Sequence, residues 1–258
     1  MTIFSTDLII RTAVTVLAAL LLGNGGVVWF NHFPPNWYRD ESNGPAEDGS
    51  KRGALPEALR ASMEQGRQRL PSTPWKLLLT LYFGSAGLYL AIRSSFAYES
   101  AALLFLFIMM WMAVSDHLYH IVPDQLQLLL ALTAFGFIPL HEYWWEPAAG
   151  LLAALILILV TEGLAHVLYH AEAYGGADIK YYLVVGLTLG REGVIYIFIL
   201  TTLLQALHLL ILFFTGTRRT ERGRSGAAKS RRPMLPYAFF AATFYLLFFY
   251  GTGWRIFF

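Results

Sequence analysis

Apolar runs of near-membrane length recur along this chain, with short polar stretches between them. A helix needs about 20 mostly apolar residues to cross a bilayer. Runs near that length fall at 10–30, 75–92, 98–116, 124–140, 147–168, 194–214 and 234–250. Ile179–Gly190 is also apolar but is only about 12 residues long, so it reads as a short span or a re-entrant half-helix. A half-helix survives at membrane depth only where protein or a water-filled cavity surrounds it. Pro236 falls near the start of the last run, where a helix tolerates proline. The pattern predicts an all-α polytopic membrane protein with about eight transmembrane helices, one of them short. Residues 1–30 would hold the first helix, 31–74 a loop, and 75–258 a membrane-embedded domain.

Two polar segments carry most of the positive charge. In residues 31–74, Leu55, Leu59 and Met63 recur every four positions, which predicts a short amphipathic helix lying on the membrane or on the protein. Residues 215–232, "TGTRRTERGRSGAAKSRR", read as a flexible basic loop. Residues 31–76 hold seven Lys/Arg and residues 215–232 hold seven more, out of 19 in the chain. The positive-inside rule sets both segments in the cytoplasm. An even number of crossings must then separate them, and this is satisfied only if Ile179–Gly190 crosses as well. Both termini fall outside, and the turns at 117–123 and 169–178 both face the cytoplasm. Tyr143, Trp144 and Trp145 fit an interfacial aromatic belt on the other side.

Composition agrees with this picture. Hydrophobic residues make up 56% and charged residues 14%, and the mean hydropathy is +0.50; soluble domains carry about 25% charged residues. A net charge of +2 without a basic, aromatic-interleaved patch argues against nucleic acid as a partner. With no cysteine there is no disulfide framework, thiolate metal site or cysteine nucleophile. The N-terminus lacks a basic leader and carries Asp7 and Arg11, so its apolar run is expected to stay as a helix rather than be removed as a signal peptide. No nucleotide-binding glycine loop and no serine-nucleophile elbow occur.

Candidate chemistry concentrates in the two cytoplasmic turns. Asp116 ends the third run, where a carboxylate opposes the helix macrodipole and is costly to desolvate. Asp124 follows Pro123 at the start of the next run and suits a helix N-cap. Asp178, in "AYGGADIK", also sits where an N-cap would, with Gly175 and Gly176 available for a turn and Lys180 as a counter-ion or interfacial anchor. Two aspartates at one membrane depth suggest a dyad sharing a proton, in which one removes a proton from water and the other donates to a carbonyl oxygen.

A second constellation competes with the first. Glu162, His166 and His170 share one helical face, and His117 and His120 adjoin Asp116. Carboxylate and imidazoles could bind zinc or relay protons in a metal- or proton-coupled transporter. The plainer alternative pairs Glu162 with His166 inside the bundle, with His170 at the interface. The spacing differs from the zinc-protease motif, and no metal site is expected from it. Gln205 and His208 read as interhelical hydrogen-bonding residues.

Three motifs carry a family likeness: "SDHLYHIVPDQL", "EAYGGADIK" and "LPYAFFA". With them, over about residues 75–250, the chain resembles the type IV prepilin peptidases, bacterial membrane aspartic proteases of the GxGD type. The resemblance implies that Asp116 and Asp178 are the catalytic pair. Asp124, Glu172, Gly175, Gly176 and Lys180 would be supporting or substrate-binding residues. It implies cleavage of the leader of prepilin-like proteins after a glycine, at the cytoplasmic face of the bacterial inner membrane. The likeness departs at Ala177, where the motif has glycine, and at "GNGGVVWFNHFP", which stands for the usual Gly-Ser-Phe-Leu-Asn run. Residues 31–73 lack the cysteines that bind zinc in many members. No cofactor is therefore expected, neither zinc nor S-adenosylmethionine, and N-methylation of the product is left open. A catalytically silent pilin-binding homologue is a further alternative, against which the intact aspartates speak.

Overall fold

A computed structural model describes residues 6–38, 56, 59–60, 69–170, 174–215 and 233–251. Every regular element among them is helical. Five helices there are long and apolar enough to cross a membrane: Leu8–Asn31, Ser72–Arg93, Phe96–Tyr119, Glu146–Leu168 and Gly176–Phe214. Asp124–Leu140 and Leu235–Phe249 are shorter apolar helices. The protein is a multi-pass, all-helical membrane protein. The chain divides into two compact units, Met1–Leu140 and His141–Phe258.

The first unit is built around Phe96–Tyr119. The most apolar stretch of this helix is 67% buried, and Phe105, Leu106, Met109, Trp111 and Met112 are fully enclosed. Aromatic rings join it to the first helix: Trp111 stacks on Phe30 at 5.0 Å and Phe107 on Trp29 at 5.6 Å. A buried ion pair fastens the same two helices. Arg11 donates to Glu99 Oε2 at 3.0 Å and to the Ser94 carbonyl at 2.8 Å, while Thr15 donates to Glu99 Oε1. The fourth apolar run is broken into Asp124–Leu132, Ala134–Phe137 and a 3₁₀ turn at Ile138–Leu140. It returns along Phe96–Tyr119, bringing Phe137 against Phe105 and Tyr98.

Of the expected amphipathic helix, the described part comprises Leu59 and Arg60. Arg60 N–H donates to the Pro56 carbonyl in a helical turn, and Leu59 is fully buried. Leu55 and Met63, like the basic 216–232 loop, lie outside the described residues.

The second unit begins with Glu146–Tyr169, which is apolar all round. The most apolar stretch of this helix is only 11% buried, and Leu151, Leu155, Ile156, Leu159 and Val160 point outward, as expected of a lipid-facing helix. Its inner side packs against Gly176–Phe214 through small residues. A Cβ on Gly150 would collide with the Gly186 carbonyl, and one on Gly186 with the Gly150 carbonyl; Ala154 completes the seam. Small residues let helix backbones approach closely where lipid removes any hydrophobic drive between them.

Gly176–Phe214 is not one straight rod. Gly190 has φ 73° and ψ −173°, inside an otherwise helical run. The chain doubles back there, because the rings of Tyr182 and Phe198 are in contact at 5.4 Å. Ile179–Gly190 is therefore a separate arm from 194–214, as its short apolar run suggested. The break leaves carbonyls of the first arm without helical partners, and His141 Nε2 donates to one of them, that of Thr188, at 3.1 Å. Arg191 reaches Glu146 at 3.7 Å across the same corner. The second arm packs against the last helix, with Tyr196 on Tyr245 and Phe249, and His208 on Tyr237. That helix opens with Leu235 and Pro236, in the first turn where proline's missing N–H costs nothing.

Candidate active site

Asp116 occupies the last turn of Phe96–Tyr119. It is only 9% exposed and still helical, so it is not a solvated turn residue. Its carbonyl accepts the His120 N–H at 2.9 Å, and His120 closes the helix in the left-handed region (φ 53°, ψ 27°). A carboxylate held here faces the negative end of the helix dipole.

The segment after the first helix packs against Ser115 and Tyr119, which flank Asp116 in the same helix end. Tyr38 is fully buried, with its hydroxyl 3.3 Å from Ser115 Oγ and its ring edge-on to Tyr119 at 4.9 Å. Burial pushes the Tyr38 phenol up to about 12, so it stays protonated at neutral pH. The Arg69 guanidinium lies 5.5 Å from the Tyr38 ring centre, and its buried Nη1 has no hydrogen-bond partner among the described residues. Arg69 is held in place through its neighbour: Asn31 donates to the Leu70 carbonyl and accepts the Leu70 N–H, both at 2.9 Å.

Asp124 is the first residue of its helix, is exposed, and benefits from the positive helix end. The N-cap expected there is Pro123 instead, whose extended backbone already makes the turn into the helix.

Asp178 also differs from its expected place by a few residues. The N-cap is Gly175, and Asp178 stands three residues on, half-buried in the first turn. The two are tied in both directions: Gly175 N–H donates to Asp178 Oδ2 at 3.1 Å, and Asp178 N–H donates to the Gly175 carbonyl at 3.0 Å. An acid at this third position takes up an otherwise orphaned backbone donor just as an N-cap side chain would, and the helix dipole favours its charge.

The glycines are not required by backbone conformation. Gly175 is extended (φ −82°, ψ 161°), and Gly176 is not in the left-handed region. Among the described residues, a Cβ on Gly176 would meet nothing within 4 Å. Ala177 is likewise outside the left-handed region, so alanine fits in place of glycine. Lys180 is exposed. Glu172 lies outside the described residues.

In the Glu162, His166 and His170 constellation, Glu162 accepts the backbone N–H of Tyr174 at Oε2, 3.2 Å away. His166 and His170 are exposed and meet edge to face at 6.3 Å. Among the described residues no three His, Asp or Glu side chains gather as a metal site. Tyr174 itself is half-buried, packs edge-on to Tyr182 at 5.7 Å, and has its phenol raised, chiefly by burial.

Sequence pattern alone does not mark Tyr38, Arg69 or Tyr174 as site residues. The usable signal was indirect, since an acid such as Glu162 on an otherwise lipid-facing helix must turn toward a polar partner.

Residues 102–210, which include Asp116, Asp124, Glu162 and Asp178, match the Type IV leader peptidase family. No curated protein and no solved structure matches the chain.

Proposed function

We propose that this chain, whose residues 102–210 belong to the Type IV leader peptidase family, is an aspartic endopeptidase of the bacterial inner membrane. Its substrates are prepilin-like proteins, cut after a glycine at the cytoplasmic face. The family match supports the peptidase role. The observation that carries the aspartic chemistry is the placement of the two acids inside the matched segment, Asp116 at the closing turn of one helix and Asp178 at the opening turn of another.

In this reading one aspartate of the pair removes a proton from the attacking water, and the other donates a proton to the carbonyl oxygen of the scissile bond. The resulting diol collapses as the amine leaves with a proton returned by the pair. The lack of a side chain at Gly176 lets an extended substrate backbone come close to Asp178. The charge balance of the loops supports eight crossings with the site on the cytoplasmic side. The reaction needs neither zinc nor S-adenosylmethionine.

The test is a cleavage assay with purified protein and a prepilin-like substrate, the product's N-terminus being read by mass spectrometry. Wild type cuts after glycine, while Asp116→Asn and Asp178→Asn stay folded and do not. Normal cleavage by either variant overturns the dyad. Adding S-adenosylmethionine tests methylation in the same experiment, since a methylated product is 14 mass units heavier by the atoms added (~14, one CH₂).

A further inference from the structure

We propose that Glu162 is a positioning residue for Asp178, holding the strand of backbone that enters its helix. This rests on the reading of Asp178 as catalytic. Two successive N–H groups precede that helix, those of Tyr174 and Gly175. Each is taken by a carboxylate: Tyr174 by Glu162 at 3.2 Å and Gly175 by Asp178 at 3.1 Å. The first anchors the loop to the neighbouring helix, and the second ties the loop to the catalytic side chain. Asp178 Oδ2 is therefore fixed relative to Glu146–Tyr169 through one residue of backbone.

The surroundings strengthen the assignment. Glu162 lies on a helix whose other faces are open and apolar, where an acid is costly unless it has a task. The Tyr174 ring packs on Tyr182, one helical turn beyond Asp178, so the same residue that Glu162 grips also braces the helix that carries Asp178. Both ends of the Gly176–Gly190 arm are then secured to the same helix, by the Gly150–Gly186 seam at one end and by Glu162 at the other.

A hydrogen bond to a charged acceptor shifts a local equilibrium by about ten- to a hundredfold. Glu162→Ala should accordingly lower kcat by that factor while KM stays within about twofold, because Glu162 does not touch the substrate. Glu162→Gln keeps an acceptor for the Tyr174 N–H and should restore most of the rate. Hydrogen exchange read on a peptide covering 174–178 should quicken in Glu162→Ala and return toward wild type in Glu162→Gln, with the thermal midpoint of both variants near wild type. A wild-type kcat in Glu162→Ala overturns the assignment, as does unchanged exchange over 174–178 or a loss confined to KM. Asp178→Asn, run alongside, separates the two ideas. If Asp178→Asn is dead and Glu162→Ala is normal, only the positioning role fails; if Asp178→Asn still cleaves, the catalytic reading beneath it fails.

Discussion

Tyr182 and Phe198 stand ring against ring, centroids 5.4 Å apart and planes tilted by 54°. On one straight helix the rise per residue would separate them by about 24 Å. Their contact makes Gly190 the corner of a helical hairpin. The corner is closed by His141 on the Thr188 carbonyl and by Glu146 with Arg191.

Gly190 should therefore resist substitution. Its φ of 73° with ψ near 180° belongs to a region essentially reserved for glycine, and a Cβ would stand 3.2 Å from the Glu146 carboxylate. Gly190→Ala is expected to cost about 1–3 kcal/mol, read as a lowered denaturation midpoint in micelles. Gly163→Ala is the control, because nothing lies within 4 Å of its would-be Cβ, and it should be neutral or mildly stabilising. Equal effects at the two sites would contradict the hairpin.

The ion pair of the first unit yields an ordering of variants. Glu99 is 2% exposed and accepts from both Arg11 and Thr15. Removing one partner strands a buried charge, so Arg11→Met or Glu99→Leu alone should destabilise by about 3–5 kcal/mol. The double variant should be less harmful than the worse single one, since no charge is then left unpaired. Unfolding of all three in the same detergent decides it.

His141 makes stability depend on pH. Burial lowers its pKa below the ordinary histidine value, outweighing the opposing effects of the Thr188 carbonyl and Glu146. Above that ordinary value both folded and unfolded chains hold it neutral, and nothing is lost. As pH falls through it, the unfolded chain takes up a proton that the folded chain refuses, and stability declines until the folded pKa is passed. Thermal midpoints of wild type should drop over this acidic window, and His141→Gln should flatten that part of the curve. An unchanged slope in His141→Gln would mean another group is responsible.

For the proposed chemistry, Asp116→Asn and Asp178→Asn should each lower the single-turnover cleavage rate by about 10²–10⁴-fold, the range of general acid–base contributions. The double variant should be little worse than either single, because the two act as one unit.

Much of this architecture was legible from hydropathy. The long runs became helices within a few residues of their expected ends, and the weak run Ile179–Gly190 ends where the chain turns. Local rules were less dependable at helix starts. Asp124 and Asp178 were expected as caps, but Pro123 and Gly175 took that position, because an extended proline or glycine can open a helix without a side-chain acceptor. The acid then serves from inside the first turn. The bond from Glu162 to Tyr174 was not legible, since its geometry depends on the path of the connecting loop. Periodicity gave only a shared face with two histidines, which the fold leaves exposed.

The seam of Gly150, Ala154 and Gly186 has a mechanical consequence. Two backbones pressed together without intervening side chains have no room to slide or roll, so the arm bearing Asp178 and the helix bearing Glu162 must move as one lever. Under the proposed function, motion that admits a protein substrate hinges beyond that lever, and cross-linking Glu146–Tyr169 to the Gly176–Gly190 arm should leave turnover intact.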